Sequence, residues 1–394
     1  MRPRILLCTL WLAAASAAGT TALAAAPETG KGAACAALGR AAAPAATQAA
    51  LLPSFPEAPR GLLHDSAYVY DNAVAAIALL GCGEITKARH IGDAFLHALE
   101  RDRYWHDGRL RNAYAAGATG SAPMRMAGLW DTAQQRWVED AYQAGSDTGN
   151  QAWAMLALLR LHDVTRDARY LAGARRLALW LEQRADTRGA GGYRGGMQGF
   201  EPNPLQLAWK STEHNLDLYA AFSELAHQNG DRRWRNDADR AQKFVATMWQ
   251  AGCGCYAAGT GTDGSTPNPF LALDVQVWTV LALPGEAGRR TQVLDTLDHR
   301  LRASEGYTYS EAGRVMWTEG TAQVELLLRV MQRKSGADAL HALIEKQRTR
   351  GGGLYATDGG DLDTGLAGRR YLHLPHLGAA AWAALGEQGY NPFP

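Results

Sequence analysis

The stretch that decides the fold is Trp209-Lys210-Ser211-Thr212-Glu213-His214-Asn215-Leu216-Asp217-Leu218-Tyr219-Ala220-Ala221-Phe222. A polar, aromatic segment runs directly into an apolar one, which predicts a loop followed by a buried helix. Ser211 or Thr212 is suited to cap that helix, and Glu213 then lies in its first turn, where the helix dipole favours a carboxylate. Asp217 follows four residues later and shares a face with Glu213. Taken alone, the stretch is equally typical of an ordinary capped helix.

The same polar-to-apolar junction occurs six times along the chain. Five of the six junctions carry an acidic residue where the apolar helix begins, and the last carries His376. The six junctions are Tyr70-Asp71-Asn72-Ala73, Ser146-Asp147-Thr148-Gly149-Asn150, Thr212-Glu213-His214-Asn215, Leu273-Asp274-Val275-Gln276, Trp317-Thr318-Glu319-Gly320 and Leu374-Pro375-His376-Leu377. Their spacing is irregular, which excludes a short-period solenoid. Each helix that follows is apolar on all sides and therefore has to be buried.

Amphipathic helices are predicted between the junctions, over residues 85–100, 167–183, 233–249, 289–303 and 337–348. Turns from a buried helix to the next amphipathic helix are short. The loops that return to a buried helix are long, and they span 101–145, 185–211, 250–272, 304–316 and 349–373. This asymmetry predicts an all-α (α/α)6 toroid, with six inner helices whose N-termini share one face with the long loops. Gly-bounded segments at 193–200, 256–264, 306–317 and 353–363 predict small β-hairpins on that face.

The first 24 residues have the features of a Sec-type signal peptide. Arg2 and Arg4 form a basic start, residues 5–18 are apolar, and Ala22-Leu23-Ala24 fits a signal-peptidase site. We therefore expect a bacterial protein that is periplasmic or secreted and has no membrane anchor after cleavage. Residues 25–60, rich in Ala and Pro, are expected to form an N-terminal lead-in, and residues 61–394 a single barrel domain.

The charge of the mature chain is close to zero. Removal of residues 1–24 takes away two arginines, which leaves a formal charge of (40 − 2) − 39 = −1. A nearly neutral chain gives no electrostatic reason to expect nucleic acid or an anionic membrane as a partner. We expect no cofactor and no metal, and the sequence does not indicate an oligomeric state.

Four cysteines remain in the mature chain, namely Cys35, Cys82, Cys253 and Cys255. In an oxidising compartment they allow three pairings, among which the sequence does not choose. A bridge between Cys253 and Cys255 closes a very small ring, so pairing elsewhere and free thiols are equally compatible with the sequence.

Three motifs together resemble the six-hairpin glycosidases: Tyr70-Asp71-Asn72-Ala73, Gly145-Ser146-Asp147-Thr148-Gly149-Asn150 and Trp209-Lys210-Ser211-Thr212-Glu213-His214-Asn215. The resemblance extends over residues 60–390. It implies an (α/α)6 barrel and a glycoside hydrolase that cleaves a neutral or weakly charged poly- or oligosaccharide. It selects no single hydrolase family, and the adjacent Asp-Asp pair of the bacterial α-mannanases is absent from the matching positions.

Glu213 is the residue best suited to be the general acid of such a reaction. Hydrolysis of a glycosidic bond needs one carboxyl group that protonates the leaving oxygen and a second that activates water or attacks the sugar. The acid must keep its proton near neutral pH, so its pKa has to be raised by burial or by a neighbouring carboxylate. The Trp209 loop is placed to exclude water from Glu213, and Asp217 adds a like charge.

The second carboxylate is expected on another inner helix. Asp147 is the first choice because a flexible, Gly-flanked approach delivers it to a helix start, and Asp71 and Glu319 are close rivals. Asp274 is predicted to be structural because apolar residues precede it. Each of these acids, taken singly, is also compatible with simple helix capping.

Aromatic rings and polar groups at the same face are expected to bind sugar, because pyranose rings stack on aromatic side chains and hydroxyls hydrogen-bond to carboxylates and amides. The predicted substrate-binding residues are Tyr70, Trp130, Asn150, Trp209, Lys210, His214, Asp217, Trp317, Glu319 and His376. Trp153 and Trp278 lie inside apolar helices, so core packing is the prediction for them.

Two other classes of function are compatible with the sequence. A sugar epimerase-like isomerase on the same fold would use paired histidines as acid and base, and His214 and His376 are predicted on the correct face; the signal peptide argues against this reading. A polysaccharide lyase or a non-catalytic glycan-binding subunit is the third possibility. A lyase acting on uronic acids would need a basic cleft.

Overall fold

The computed structural model describes residues 32–120, 122–365 and 370–394. The predicted signal peptide lies outside the described residues. The α-helices within them are α1 (Ala33–Ala41), α2 (Val69–Gly81), α3 (Ile85–Arg101), α4 (Ala141–Ala144), α5 (Thr148–Thr165), α6 (Ala168–Glu182), α7 (Thr212–Asn229), α8 (Arg232–Thr247), α9 (Leu273–Ala282), α10 (Arg290–Arg300), α11 (Thr318–Val330), α12 (Lys334–Glu345) and α13 (Leu377–Gln388). Two 3-10 turns, Ala43–Ala45 and Pro284–Arg289, accompany them.

All six junction helices are present, and they form a closed inner ring. Going round the ring, α2 packs against α5, α5 against α7, α7 against α9, α9 against α11, α11 against α13, and α13 again against α2. Every residue of α9 is buried, as the apolar pattern requires. The outer helices α3, α6, α8, α10 and α12 each pack on the inner helix before them in the chain. The predicted (α/α)6 toroid is confirmed.

The outer helices bury one face, as the amphipathic pattern predicts. In α8 the buried residues recur at three-to-four spacing, from Trp234 to Ala238, Ala241 and Val245. Their ends agree with the predicted ranges to within three residues. Asp167, predicted as the first residue of α6, is instead its N-cap, and its side chain accepts a hydrogen bond from the Arg169 backbone N–H at 3.0 Å.

The N-terminal segment has a larger part in the barrel than the sequence indicated. Helix α1 packs against α13 and completes the sixth hairpin. The carboxylate of Glu387 in α13 accepts hydrogen bonds from the first turn of α1, with Oε2 at 3.1 Å from the Ala34 backbone nitrogen. A disulfide joins Cys35 to Cys82 just after α2, and a second joins Cys253 to Cys255. Residues 32–60, expected to be a lead-in, therefore supply the outer helix that closes the ring.

The long loops carry short antiparallel strands of two or three residues each. These are β1 (Ala50–Leu51), β2 (Ser66–Tyr68), β3 (Ala113–Ala115), β4 (Gly117–Ala118), β5 (Leu129–Asp131), β6 (Arg136–Val138), β7 (Ser146–Asp147), β8 (Gly196–Gln198), β9 (Leu205–Leu207), β10 (Trp249–Gln250), β11 (Cys255–Tyr256), β12 (Gly259–Thr260), β13 (Pro267–Asn268), β14 (Leu362–Asp363) and β15 (Arg370–Tyr371). The hairpin predicted over 306–317 is replaced by single bridges, such as Trp317 with Thr357. In the part of the chain that the structure describes, none of the helices has the length and apolar character that a membrane crossing requires.

Candidate active site

A cavity of about 580 Å³ lies at the N-terminal ends of the inner helices. The start of each inner helix contributes at least one titratable residue to the lining, which places Asp71, Asp147, Glu213, Asp274, Glu319 and His376 around one space. The ring arrangement explains this convergence, because all six inner helices point the same end towards the long loops. Helix N-termini carry partial positive charge and tolerate this number of carboxylates better than helix C-termini would.

Most of the predicted site residues do line this cavity. They are Tyr70, Asp71, Asp147, Asn150, Trp209, Glu213, His214, Trp317, Glu319 and His376. Ser211 caps α7, as one of the two predicted options, with its hydroxyl oxygen 3.2 Å from the His214 backbone nitrogen.

Three predicted substrate-binding residues lie elsewhere. Lys210 is buried, and its ammonium group donates hydrogen bonds to the carbonyls of Arg188 (2.6 Å) and Gly191 (2.7 Å), so it holds a loop together. Asp217 is completely buried one turn below Glu213. Trp130 is half exposed on β5 and does not line the cavity.

Several cavity residues were not identified from the sequence. Asp274, predicted to be structural, lines the cavity wall beside Glu213. Its position at the start of the fourth inner helix, equivalent to that of Glu213 in the third, could have indicated this from the sequence. Trp153 and Trp278 are buried as predicted, but they also form the cavity floor, where their rings pack edge-to-face with centroids 5.3 Å apart. Tyr309 and Tyr371 come from long loops, where no local pattern distinguishes a lining residue.

The electrostatics of the cavity keep a proton on Glu213. Its burial in the cavity wall raises the pKa well above the ordinary value, and the negative charges of Asp274, Glu319 and Asp147 raise it further. The pKa of Asp274 is raised by burial to about 6, although the hydrogen bond from the Val275 backbone N–H (2.7 Å) opposes the shift. Neighbouring carboxylates with separated pKa values are typical of acid–base sites.

Glu319 is held by a chain of hydrogen bonds. The Tyr70 hydroxyl donates to Glu319 Oε1 at 2.6 Å, and the Trp382 indole N–H donates to the Tyr70 oxygen at 2.8 Å. Its other oxygen, Oε2, accepts no hydrogen bond from the described residues and lies 3.6 Å from Nδ1 of His376. Burial and the charge of Asp71 raise the pKa of Glu319 to about 7, while His376 and the Tyr70 hydrogen bond lower it.

The two histidines of the cavity differ in their electrostatic environment. Burial lowers the pKa of His214 to about 4, so this imidazole is neutral at pH 7, and its Nδ1 lies 3.1 Å from the Thr148 hydroxyl. Burial alone would lower the pKa of His376 as well. The negative charges of Asp71, which lies 3.4 Å from Nε2, and of Glu319 outweigh burial and raise this pKa.

Asp217 is a fully buried carboxyl group one helical turn below Glu213. Neither of its oxygens has a hydrogen-bond partner within normal distance among the described residues. Burial raises its pKa well above the ordinary value, and the charges of Glu213 and Asp274 add to the shift. Asp217 therefore keeps its proton to a higher pH than an exposed aspartate does, and the charges that raise the pKa of Glu213 come from Asp274, Glu319 and Asp147 instead.

We expect Asp217→Asn to stabilise the protein at alkaline pH. A carboxyl whose pKa is higher in the folded than in the unfolded state binds its proton more tightly when folded, so its contribution to stability is lost as pH rises from about 4 through the folded pKa. Each unit of pKa elevation corresponds to about 1.4 kcal/mol. The free energy of unfolding of the variant, measured by urea denaturation, should exceed that of the wild type at pH 8, and the difference should shrink at pH 5.

Asp295→Asn is the matched control, because Asp295 is an exposed residue of α10. This control should change the free energy of unfolding by less than about 0.5 kcal/mol at either pH. A loss of stability in Asp217→Asn that is the same at pH 5 and pH 8 would contradict the assignment of a raised pKa.

Comparisons with known proteins agree with the architecture. No protein-family model and no curated protein sequence matches the chain. Among solved structures, a glycosidase variant in complex with glucose superimposes with a TM-score of 0.62 at 14% identity, covering 92% of this chain and 97% of that chain. Cellobiose 2-epimerase from Bacillus thermoamylovorans B4167 gives a TM-score of 0.60 at 11% identity, covering 89% and 95% of the two chains.

A family 76 glycoside hydrolase from a bovine Bacteroides thetaiotaomicron strain is also similar, with a TM-score of 0.57 at 12% identity, covering 90% of this chain and 77% of that chain. Identities this low establish the fold and leave the reaction open, since one fold supports many activities. The chain has the (α/α)6 fold that these sugar-processing enzymes share.

Proposed function

We propose that the protein is a glycoside hydrolase that uses Glu213 as its general acid. The observation that carries the proposal is the raised pKa of Glu213 at the wall of a cavity that also contains aromatic rings and further carboxylates. A carboxyl group that remains protonated near neutral pH can donate its proton to the glycosidic oxygen as the bond to the sugar breaks. The similar solved structures, which include glycosidases, support an enzyme that acts on carbohydrate.

Glu319 is our proposal for the second carboxylate, in preference to Asp147. Its Oε1 is fixed by Tyr70, whereas Oε2 accepts no hydrogen bond from the described residues, which leaves its lone pairs free to take a proton. A pKa of about 7 suits a base that works near neutral pH. Glu213 and Glu319 lie on α7 and α11, with α9 between them in the ring, and both line the cavity. Asp147 and Asp274 then act by raising the pKa of Glu213.

The pH dependence of kcat/KM should reflect these two groups. The active form has Glu319 ionised and Glu213 protonated, so kcat/KM should rise with pH up to about 7 and fall again when Glu213 loses its proton. Glu319→Gln should lower turnover by about a hundredfold or more, because water is no longer activated. Added azide needs no base for its attack and should restore turnover with formation of a glycosyl azide.

Asp274→Asn distinguishes a base from a residue that only tunes Glu213. Removal of this negative charge lowers the pKa of Glu213, so the alkaline limb should move to lower pH while azide has no effect on turnover. If azide instead rescues Asp274→Asn and leaves Glu319→Gln inactive, the roles of the two carboxylates are exchanged.

A sugar epimerase is the second candidate, because His214 and His376 line the same cavity and one similar structure is a cellobiose 2-epimerase. Epimerisation removes the proton at carbon 2 of a reducing sugar and returns it on the other face. A single incubation of oligosaccharides in deuterium oxide separates the two reactions. Hydrolysis releases new reducing ends without deuterium at carbon 2, whereas epimerisation incorporates deuterium there and leaves chain length unchanged.

The charge of the cavity does not favour a lyase. Six carboxylates line it, and among the described lining residues Arg370 is the only arginine or lysine. A polyuronate would meet repulsion from this lining, so we propose a neutral or weakly charged substrate. We also propose that the protein works outside the cytoplasm, a view supported by the two disulfides, which are typical of oxidising compartments.

A further inference from the structure

Exposed aromatic residues are concentrated beside the mouth of the cavity. Eight large hydrophobic side chains are exposed among the described residues, and four of them belong to two neighbouring β-hairpins. The hairpin of β5 and β6 carries Trp130 and Trp137, which are 48% and 43% exposed. The hairpin of β8 and β9 carries Phe200 and Leu205, which are 46% and 75% exposed. Large exposed hydrophobic groups that cluster in this way are typical of binding surfaces.

Trp130 and Trp137 are arranged as a pair. They are directly opposite each other in the register of the two strands, so their side chains leave the hairpin on the same face. The backbone of Gly128 lies close under the Trp137 indole, and a β-carbon placed there would be 2.8 Å from Nε1. The hairpin therefore presents two large rings side by side to solvent.

A buried arginine holds the two hairpins together. The guanidinium of Arg111 is 1% exposed and forms ion pairs with Glu139, at 3.5 Å, and with Glu201. Glu139 lies two residues after Trp137, and Glu201 directly follows Phe200. Trp130, Trp137 and Phe200 thus belong to one supported surface, which we call the aromatic platform.

The aromatic platform is continuous with the cavity. Asp140 and Tyr142 follow the first hairpin directly and line the cavity, and Gln198 and Leu207 of the second hairpin line it as well. The Gly199 backbone N–H donates to the Ala141 carbonyl at 3.1 Å, which links the two segments at the rim. A ligand that leaves the cavity on this side meets the platform next.

We propose that the aromatic platform binds the portion of a polysaccharide chain that extends beyond the cavity, so that the substrate is a polymer. The inference rests on the proposed function, because it takes the cavity as the site of cleavage. A cavity of about 580 Å³ is in the range that encloses a ligand of drug size. It therefore encloses only a few sugar units, and the remaining units need a surface outside it.

The chemistry of the platform fits a glycan better than a lipid. Exposed rings offer flat apolar faces to pyranose C–H groups, and polar side chains that bind hydroxyls stand beside them, among them Asp131, Gln134 and Arg136. A membrane-binding surface of this size would be expected to carry basic residues without neighbouring acids. Here Asp131 and Glu139 flank the pair of tryptophans.

The test measures polymer binding without turnover, in a protein that carries Glu213→Gln. Its migration is compared in native gels that contain barley β-glucan, yeast mannan or dextran. At least one of these polymers should retard the protein. Addition of Trp130→Ala and Trp137→Ala should weaken that retardation by about tenfold in apparent affinity, which corresponds to about 0.7 kcal/mol for each lost ring. Trp130→Phe with Trp137→Phe should retain most of the binding, and Leu179→Ala, at an exposed apolar residue of α6, should change nothing.

In an otherwise wild-type protein, the two alanine substitutions should raise KM for the retarding polymer about tenfold relative to KM for its trisaccharide. The inference is overturned if no polymer retards the Glu213→Gln protein, if the alanine variant is retarded equally, or if polymer and trisaccharide are affected alike. Loss of binding to phosphatidylglycerol vesicles, with polymer binding unchanged, would overturn it in favour of a membrane surface. If the Glu213→Gln protein turns over substrate at the full rate, Glu213 is not the general acid and the proposed function fails at that point. The gel retardation experiment still tests separately whether the aromatic platform binds polymer.

Discussion

Replacement of Glu213 by Gln is expected to lower kcat about a thousandfold, because the leaving sugar must then depart without a proton. The structure predicts this loss from the raised pKa that burial and three neighbouring carboxylates give to Glu213. The side chain of Gln has nearly the same shape, so sugar affinity and thermal stability should stay close to those of the wild type. Release of reducing sugar from the best substrate is the measurement.

The leaving group provides the decisive control for this prediction. A glycosyl fluoride or a dinitrophenyl glycoside departs without protonation, so the Glu213→Gln protein should hydrolyse it at close to the wild-type rate. Glu305→Gln is the matched variant, because Glu305 is half exposed and forms an ion pair with Lys346 outside the cavity. Equal loss on natural and activated substrates would assign Glu213 a role other than general acid.

Removal of the disulfide between Cys35 and Cys82 should lower the free energy of unfolding by about 4 kcal/mol. The two cysteines are separated by 47 residues, and a cross-link that closes a loop of this length restricts the unfolded chain substantially. The bond also ties α1 to the end of α2, where α1 completes the sixth hairpin. Urea denaturation of Cys35→Ser with Cys82→Ser, at neutral pH, provides the measurement.

The second disulfide is a built-in comparison. Cys253 and Cys255 are separated by only two positions, so their bond restricts the unfolded chain much less. Cys253→Ser with Cys255→Ser should therefore cost less than half as much. Similar losses for the two pairs of substitutions would show that native contacts, and not loop closure, account for the stabilisation.

The sequence determined the inner ring because its signal is local. The sequence contains six apolar helices that begin with a polar residue and are joined alternately by short turns and long loops. Few helix arrangements are compatible with this pattern, and the (α/α)6 toroid is the one that it predicts. The same pattern predicted that Glu213 and Glu319 share a cavity. The sixth outer helix was not apparent, because α1 precedes the first junction and is paired with α13 only when the ring closes.

The individual roles at the site depended on the tertiary structure. Lys210 and His214 stand four residues apart in one stretch, yet the ammonium group of Lys210 turns to the Arg188 carbonyl whereas His214 enters the cavity. Asp274 follows apolar residues and looked structural, but the ring brings it beside Glu213 and makes it the largest charge effect on that pKa.

The sequence by itself thus determined the all-α toroid and the face that carries the candidate site, since both follow from hydrophobic periodicity and loop length. Only the tertiary structure decided which carboxylates act on one another, which aromatic rings form the floor, and that Trp130 lies outside the cavity. The physical reason is that pKa values and cavity lining depend on distances between residues far apart in the chain, whereas helix burial is recorded in neighbouring residues.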